Sequence, residues 1–259
     1  MTPDDGSLLN QDEPTPVVTF NSDGRSPFLI LGDHAGNAIP RKLGTLGLSP
    51  EDRVRHIAWD IGVRALGELL ATALDAAFIH QHYSRLVIDC NRDPKSAEAM
   101  PAISDGSRIP GNEELSDRAR AERIGEIHGP YHERITTELA GRSKANRTTI
   151  LIALHSFTPI MAQTIRPWHV GVLYSGGNTS FATTLLKELR RESVVIAGDN
   201  EPYQMDDTDH TIPRHAFATR LPYAELEIRQ DLIADTAGQR AWSARLSAAL
   251  EAAITRLSS

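Results

Sequence analysis

The chain has a single cysteine, Cys90, among its 259 residues. No internal disulfide can form, and neither a Cys-x-x-Cys redox pair nor a thiolate zinc knuckle is available. Clustered Lys and Arg are also missing, and the net charge is -7. This argues against a nucleic-acid surface, which needs grouped cations to meet phosphates. No segment approaches the roughly 18 apolar residues of a membrane span. The first stretch, MTPDDGSLLNQDEPTP, is acidic and proline-bearing where a signal peptide has basic residues and then an apolar run. The expectation is a protein of the reducing cytoplasm with small-molecule partners, no nucleic acid and no membrane. Residues 1–16 are expected to form a flexible N-terminal arm, ahead of a single α/β domain at 17–259.

With 40% hydrophobic and 24% charged residues, the chain can bury a large core. Short β-rich runs read as strands at 28–34, 77–83, 86–90, 149–156, 169–175, 193–199 and 224–229. Helical spacing falls between many of them. Residues 60–75 align Leu66, Leu69, Leu70, Ala73 and Leu74, and residues 241–257 align Trp242, Leu246, Leu250, Ala253 and Leu257. A third helical pattern covers 114–142, where Pro130 predicts a kink or break. This alternation predicts a mixed, mostly parallel sheet with helices on both faces. The segments 93–113 and 199–222 are long for loops of a compact domain, a length associated with lids and binding loops as well as with plain mobile surface.

Polar residues collect where the strands end, which is where open α/β sheets bind ligands. His34 follows FLILGD, Asn91 and Arg92 follow LVIDC, and His155 closes TILIAL. In AELEIR, strand alternation puts Glu225, Glu227 and Arg229 on one face. Each residue alone has a bland reading: a hydrogen-bonded histidine, a turn with a surface ion pair, an exposed edge strand. Together they form an inventory for a catalytic zinc, which takes three protein ligands and leaves a position for water. Iron or manganese suits the same donors. A further carboxylate would take the proton of that water, and an arginine fork would hold a substrate carboxylate.

The third ligand is less direct, because HAGN has Asn37 where an H-x-x-E metal motif has glutamate. Asp60, in HIAWDIG, is the candidate, with a plain helix-start residue as the other reading. Asp33 and Asp89 are read as supporting residues beside the site.

These stretches, DHAGNAIP, HIAWDIGVRALGELLA, YSRLVIDCNRDP, SDGSRIPGN, LHSFTP, GDNEPY and LEIRQDLI in that order, resemble the N-formylglutamate amidohydrolase family. The resemblance runs from about residue 28 to 235. It implies a fold related to zinc carboxypeptidases and aspartoacylases, and zinc-dependent hydrolysis, with one Zn2+ per chain, of an N-acyl amino acid such as N-formylglutamate. It also implies His34 and His155 as metal ligands, Asn91 and Arg92 as the grip on the α-carboxylate, and Glu227 as general base and then proton donor. Arg85 is a further candidate for the oxyanion or a carboxylate, and Arg108, Arg214, Arg220 and His215 are candidates for binding the rest of the substrate. The competing readings are a carboxylate-binding module without catalysis, a related zinc deacylase or peptidase, and a serine hydrolase built on Ser156. The last lacks the G-x-S-x-G elbow.

Overall fold

The computed structural model describes residues 7–257. In chain order its strands are β1 (Val17–Phe20), β2 (Phe28–Gly32), β3 (Ala77–Gln81), β4 (Ile103–Ser104), β5 (Ser107–Arg108), β6 (Ile150–Phe157), β7 (Ile160–Met161), β8 (Thr164–Ile165), β9 (Val170–Leu173), β10 (Ala197–Asp199) and β11 (Tyr223–Arg229). The helices are α1 (Val63–Leu74), α2 (Asp117–Arg123), α3 (Gly129–Lys144), α4 (Ser180–Leu189) and α5 (Thr236–Leu257). Seven strands form one sheet in the order β1-β3-β2-β6-β11-β9-β10, and β4–β5 and β7–β8 are separate small hairpins. Within the seven-stranded sheet pairing is parallel except for β1 with β3 and β11 with β9. This is the expected single-domain, mostly parallel sheet.

Alternation along the strands sorts side chains onto two cores. On one face Phe28, Ile30, Ile152, Leu154 and Ile228 pack against α1, α4 and α5. On the other, Leu29, Leu31, Leu151 and Ala153 meet Tyr131 and Ile135 of α3 and the segment around Ile212 and Ala216. The 3.6-residue spacing of Val63, Leu66, Leu70 and Leu74 therefore buries one stripe of α1. The backbone runs helically from α2 through a π turn at Ile124–His128 into α3, with Pro130 just past that turn, so the irregularity expected at Pro130 is a π turn and not an end of the helix.

One expected strand is absent. Residues 86–90 form turns, because Leu86, Val87 and Ile88 are needed in a third core together with Leu46, Tyr83, Ile109 and Ile127. Their backbone carbonyls find side-chain donors in place of a strand: Asn112 Nδ2 donates to Leu86 O at 2.9 Å and Arg123 Nη1 to Val87 O at 2.9 Å. Of the expected arm, residues 1–6 lie outside the described residues. Further on, Leu8 is buried, and the Leu8 and Leu9 amides donate to Glu126 at 2.6 and 2.8 Å.

Candidate metal centre and active site

β2, β6 and β11 run side by side in one direction, so their carboxyl ends form a single rim. In the β6–β11 register His155 is opposite Glu227, and in the β2–β6 register Leu31 is opposite Ala153. One pleat further on, Asp33 reaches His155, with Oδ2 3.3 Å from Nε2. Asp60 arrives from the loop before α1, its N–H donating to the His34 carbonyl at 2.9 Å. That bond brings a carboxylate between two imidazoles: Asp60 Oδ2 is 2.9 Å from His155 Nδ1 and 3.4 Å from His34 Nδ1. One ligand atom from each of His34, Asp60 and His155 lies within 4.8 Å of the other two.

The far side of each ring faces a carboxylate. His34 Nε2 is 2.7 Å from Asp89 Oδ1, and His155 Nε2 faces Asp33. Asp89 is fixed by Arg85 at 2.6 and 3.1 Å and by the Asn91 amide at 2.8 Å, and Asp33 accepts from Tyr131 Oη at 2.6 Å. Carboxylates behind the rings set the tautomer and direct the other ring nitrogen inward, the usual support of a metal-binding histidine.

Electrostatics favour a cation here. Asp33, Asp60, Asp89, Glu225 and Glu227, all buried, surround the two histidines. Burial pushes the Asp60 and Asp89 carboxyls up, but His34 and His155 beside Asp60, and Arg85 beside Asp89, more than offset it and hold both below the ordinary value. Burial lowers His155, yet Asp33 and Asp60 raise it well above 6.5. Asp89 and Asp60 raise His34 against burial and Arg85. The cluster thus asks for positive charge between the rings, which a metal on neutral imidazoles supplies as well as protons do. Among the described residues His34 Nδ1, Asp33 Oδ2 and Glu227 Oε2 have no hydrogen-bond partner. Two imidazoles, one carboxylate and an open side fit a catalytic zinc.

Glu225 and Glu227 respond differently. Burial raises Glu227 to about 7 and Glu225 to about 8, with His155 pulling both back. A carboxyl near neutrality can both take and return a proton.

The site opens into a cleft of about 210 Å³ lined by His34, Asp60, Arg85, Asn91, Arg92, His155, Glu225 and Glu227. Both long segments contribute to it, through Ser104 and Asp105 and through Tyr203 and Asp209. Asn91 Nδ2 and Arg92 Nη1 converge on Asp209 Oδ1 at 3.3 and 3.4 Å. The Asn91 carbonyl oxygen of the side chain accepts from the His210 and Thr211 amides at 3.0 and 2.9 Å. This fixes the orientation of Asn91.

Seven of the residues that the sequence proposes for the site therefore meet at the cleft: His34, Asp60, Arg85, Asn91, Arg92, His155 and Glu227. Arg108, Arg214, Arg220 and His215 are not among its lining. The Arg108 side chain is 74% exposed and is held by Glu113 at 3.0 Å, although Ser104 and Asp105 of its own hairpin reach the cleft, and the His215 ring is turned toward His132 at 2.9 Å. Arg214 lines a different groove with His215. Ser156 Oγ donates to Ile61 O at 3.0 Å with no histidine activating it. Sequence reading gave Glu225 a place on the strand face of Glu227 but no role, and did not single out Tyr203 or Asp209. Glu225 was findable, since it shares a strand face with Glu227, whereas nothing periodic marks a residue of a long irregular segment.

Residues 26–234 match the family described as N-formylglutamate amidohydrolase. The chain belongs to the N-formylglutamate amidohydrolase family. The match takes in every strand-end residue of the cleft, and membership makes the chain an amidohydrolase with a small-molecule substrate. The solved structure of gene product Atu2144 from Agrobacterium tumefaciens superimposes with a TM-score of 0.94 at 33% identity, covering 97% of this chain and 100% of that one. The N-formylglutamate amidohydrolase from Ralstonia eutropha JMP134 gives a TM-score of 0.66 at 18% identity, covering 95% and 100%, and shares the fold. No curated protein matches the sequence. Among the described residues no helix is long and apolar enough to cross a membrane.

Proposed function

We propose that this amidohydrolase cleaves the N-acyl amide of an N-acyl amino acid of the N-formylglutamate type, with one zinc held by His34, Asp60 and His155. The observation that carries the reading is the placing of Asp60 Oδ2 between His34 Nδ1 and His155 Nδ1, with Glu227 opposite His155 on the adjacent strand. Bound there, zinc would polarise the acyl carbonyl and acidify a water.

The chain's own residues do the rest. Glu227, raised to about 7 by burial, accepts the proton of the attacking water and returns it to the departing amine nitrogen. Asn91 and Arg92 hold the substrate's α-carboxylate, taking it in place of the Asp209 oxygen they share in this structure. Arg85 keeps Asp89 ionised behind His34 and borders the cleft, where its charge favours a developing oxyanion. The products are a small acid, formate for an N-formyl substrate, and the free amino acid. The cleft is smaller than the roughly 300–1,000 Å³ of drug-sized sites, as suits a short acyl group.

The test pairs elemental analysis of the purified protein with detection of glutamate released from N-formylglutamate, before and after chelation. About one zinc at this centre with chelator-sensitive release is expected. Zinc without release would move the substrate to another N-acyl amino acid. Unchanged release from fully stripped protein would overturn the metal mechanism.

A further inference from the structure

Behind the cleft wall lies a second group of histidines to which the reaction gives no part. His128 closes the π turn and His132 sits one helical turn on, in α3, so the two rings share a face. His210 comes from the long segment 199–222. The ring centroids are 4.5 Å apart for His128 and His132, 5.0 Å for His132 and His210, and 5.4 Å for His128 and His210. One nitrogen from each ring lies within 4.8 Å of the other two.

The hydrogen bonds fix the tautomers of two of them. His128 Nε2 is 3.1 Å from Arg92 O and His132 Nε2 is 2.9 Å from Cys90 O. A carbonyl only accepts, so both Nε2 atoms carry the proton and both Nδ1 atoms keep a lone pair. A ring anchored through one N–H to a backbone carbonyl, with the other nitrogen unprotonated, is how proteins present a metal ligand. His210 Nε2 is buried and has no hydrogen-bond partner among the described residues. In this structure His132 Nδ1 is 2.9 Å from His215 Nε2, and a bound ion takes that lone pair instead.

The surroundings keep the rings neutral, as ligands must be. Burial lowers His128 to about 4 and His132 to about 2, and lowers His210 as well. Arg214 faces the cluster with positive charge, and Asp33, Asp89 and Asp93 act on it with negative charge.

We propose that His128, His132 and His210 form a second transition-metal site, separate from the His34–Asp60–His155 centre, that takes Zn2+ or a similar borderline divalent ion. Imidazole donors without thiolate or carboxylate suit zinc, cobalt or nickel and not calcium or magnesium. The ion serves position and not chemistry. All three histidines bond to consecutive residues of the substrate-binding turn: His132 to the Cys90 carbonyl, the His210 amide to the Asn91 side chain, and His128 to the Arg92 carbonyl. Joining the rings ties that turn together, a consequence that rests on Asn91 and Arg92 gripping substrate.

The test uses the full chain carrying His34→Gln and His155→Gln, which removes two ligands of the first centre, titrated with Co2+ alone and with Zn2+ in competition. One equivalent of Co2+ with visible d–d absorption is expected, and adding His210→Gln should weaken it by roughly tenfold or more, loss of a ligand being loss of binding energy. His132→Gln gives an independent second variant, and circular dichroism checks that each is folded. If the double-ligand background does not fold, wild type against His210→Gln reads two equivalents against one. No Co2+ bound in the folded double variant, or binding that both His210→Gln and His132→Gln leave unchanged, overturns the proposal. A wild type that binds only as much as the double variant sinks the first centre and leaves this one standing.

Discussion

His34 Nε2 lies 2.7 Å from Asp89 Oδ1, and Asp89 is itself held at 2.6 Å by Arg85. The imidazole is thereby oriented from behind by a carboxylate that is not one of the three proposed zinc ligands. Asp89→Asn should lower zinc affinity or activity by about 10–100-fold while the chain stays folded. Zinc competition with a chromogenic chelator checks this, and wild-type affinity would remove Asp89 from the site.

Glu227→Gln should reduce kcat by about 10²–10⁴-fold with zinc still bound, because amide and carboxyl are similar in shape and only the proton transfer is lost. In the wild type kcat/KM should rise with pH as Glu227 loses its proton. The midpoint should sit above the ordinary carboxylate value of 4.5, since burial first and the Asp60 charge second raise it. A pH–rate profile flat from acid to neutral would remove Glu227 as the base.

Arg92→Ala should act on binding. Losing a charge-assisted grip on a carboxylate costs about 1.5–3 kcal/mol, or roughly 10–100-fold in kcat/KM, appearing chiefly in KM. Steady-state kinetics on N-formylglutamate and on its α-amide separate the effects: the amide should be insensitive to the substitution. Equal losses on both substrates would contradict the assignment.

His80 is buried in β3, its Nε2 lacks a hydrogen-bond partner among the described residues, and burial lowers it from 6.5. The folded state therefore resists a proton that the unfolded chain accepts. Its contribution to stability is fully present above about pH 6.5 and is lost as pH falls below that value. Urea unfolding should show less stability at pH 5 than at pH 7, with a smaller drop in His80→Gln.

Gly36, two residues after His34, packs so closely that a Cβ would lie 2.0 Å from the His82 carbonyl oxygen. Gly36→Ala should cost more than about 2 kcal/mol, because backbone must shift to admit it. Thermal unfolding measures this, and an unchanged midpoint would contradict the packing.

The sequence by itself determined six of the sheet's seven strands, the apolar stripes of α1 and α5 and much of the cleft. Strand period, helix period and the polar residues at strand ends are local patterns, and local sterics and hydrophobic burial suffice to read them. The presence of His34, His155, Asn91, Arg92 and Glu227 at strand ends or on one strand face was legible in this way, and the family resemblance suggested the roles proposed for them. Tertiary structure decided what depends on neighbours far along the chain. Residues 86–90 look like a strand but spend their apolar side chains on a loop core, since Asn112 and Arg123 satisfy their carbonyls from another element. Arg108 and His215 stand near site residues in sequence, yet an ion pair with Glu113 and a ring contact with His132 hold them elsewhere. The bond from Asp60 N–H to the His34 carbonyl, and the meeting of His128, His132 and His210, join residues that no periodicity relates. Only packing the elements against one sheet brings such groups within reach.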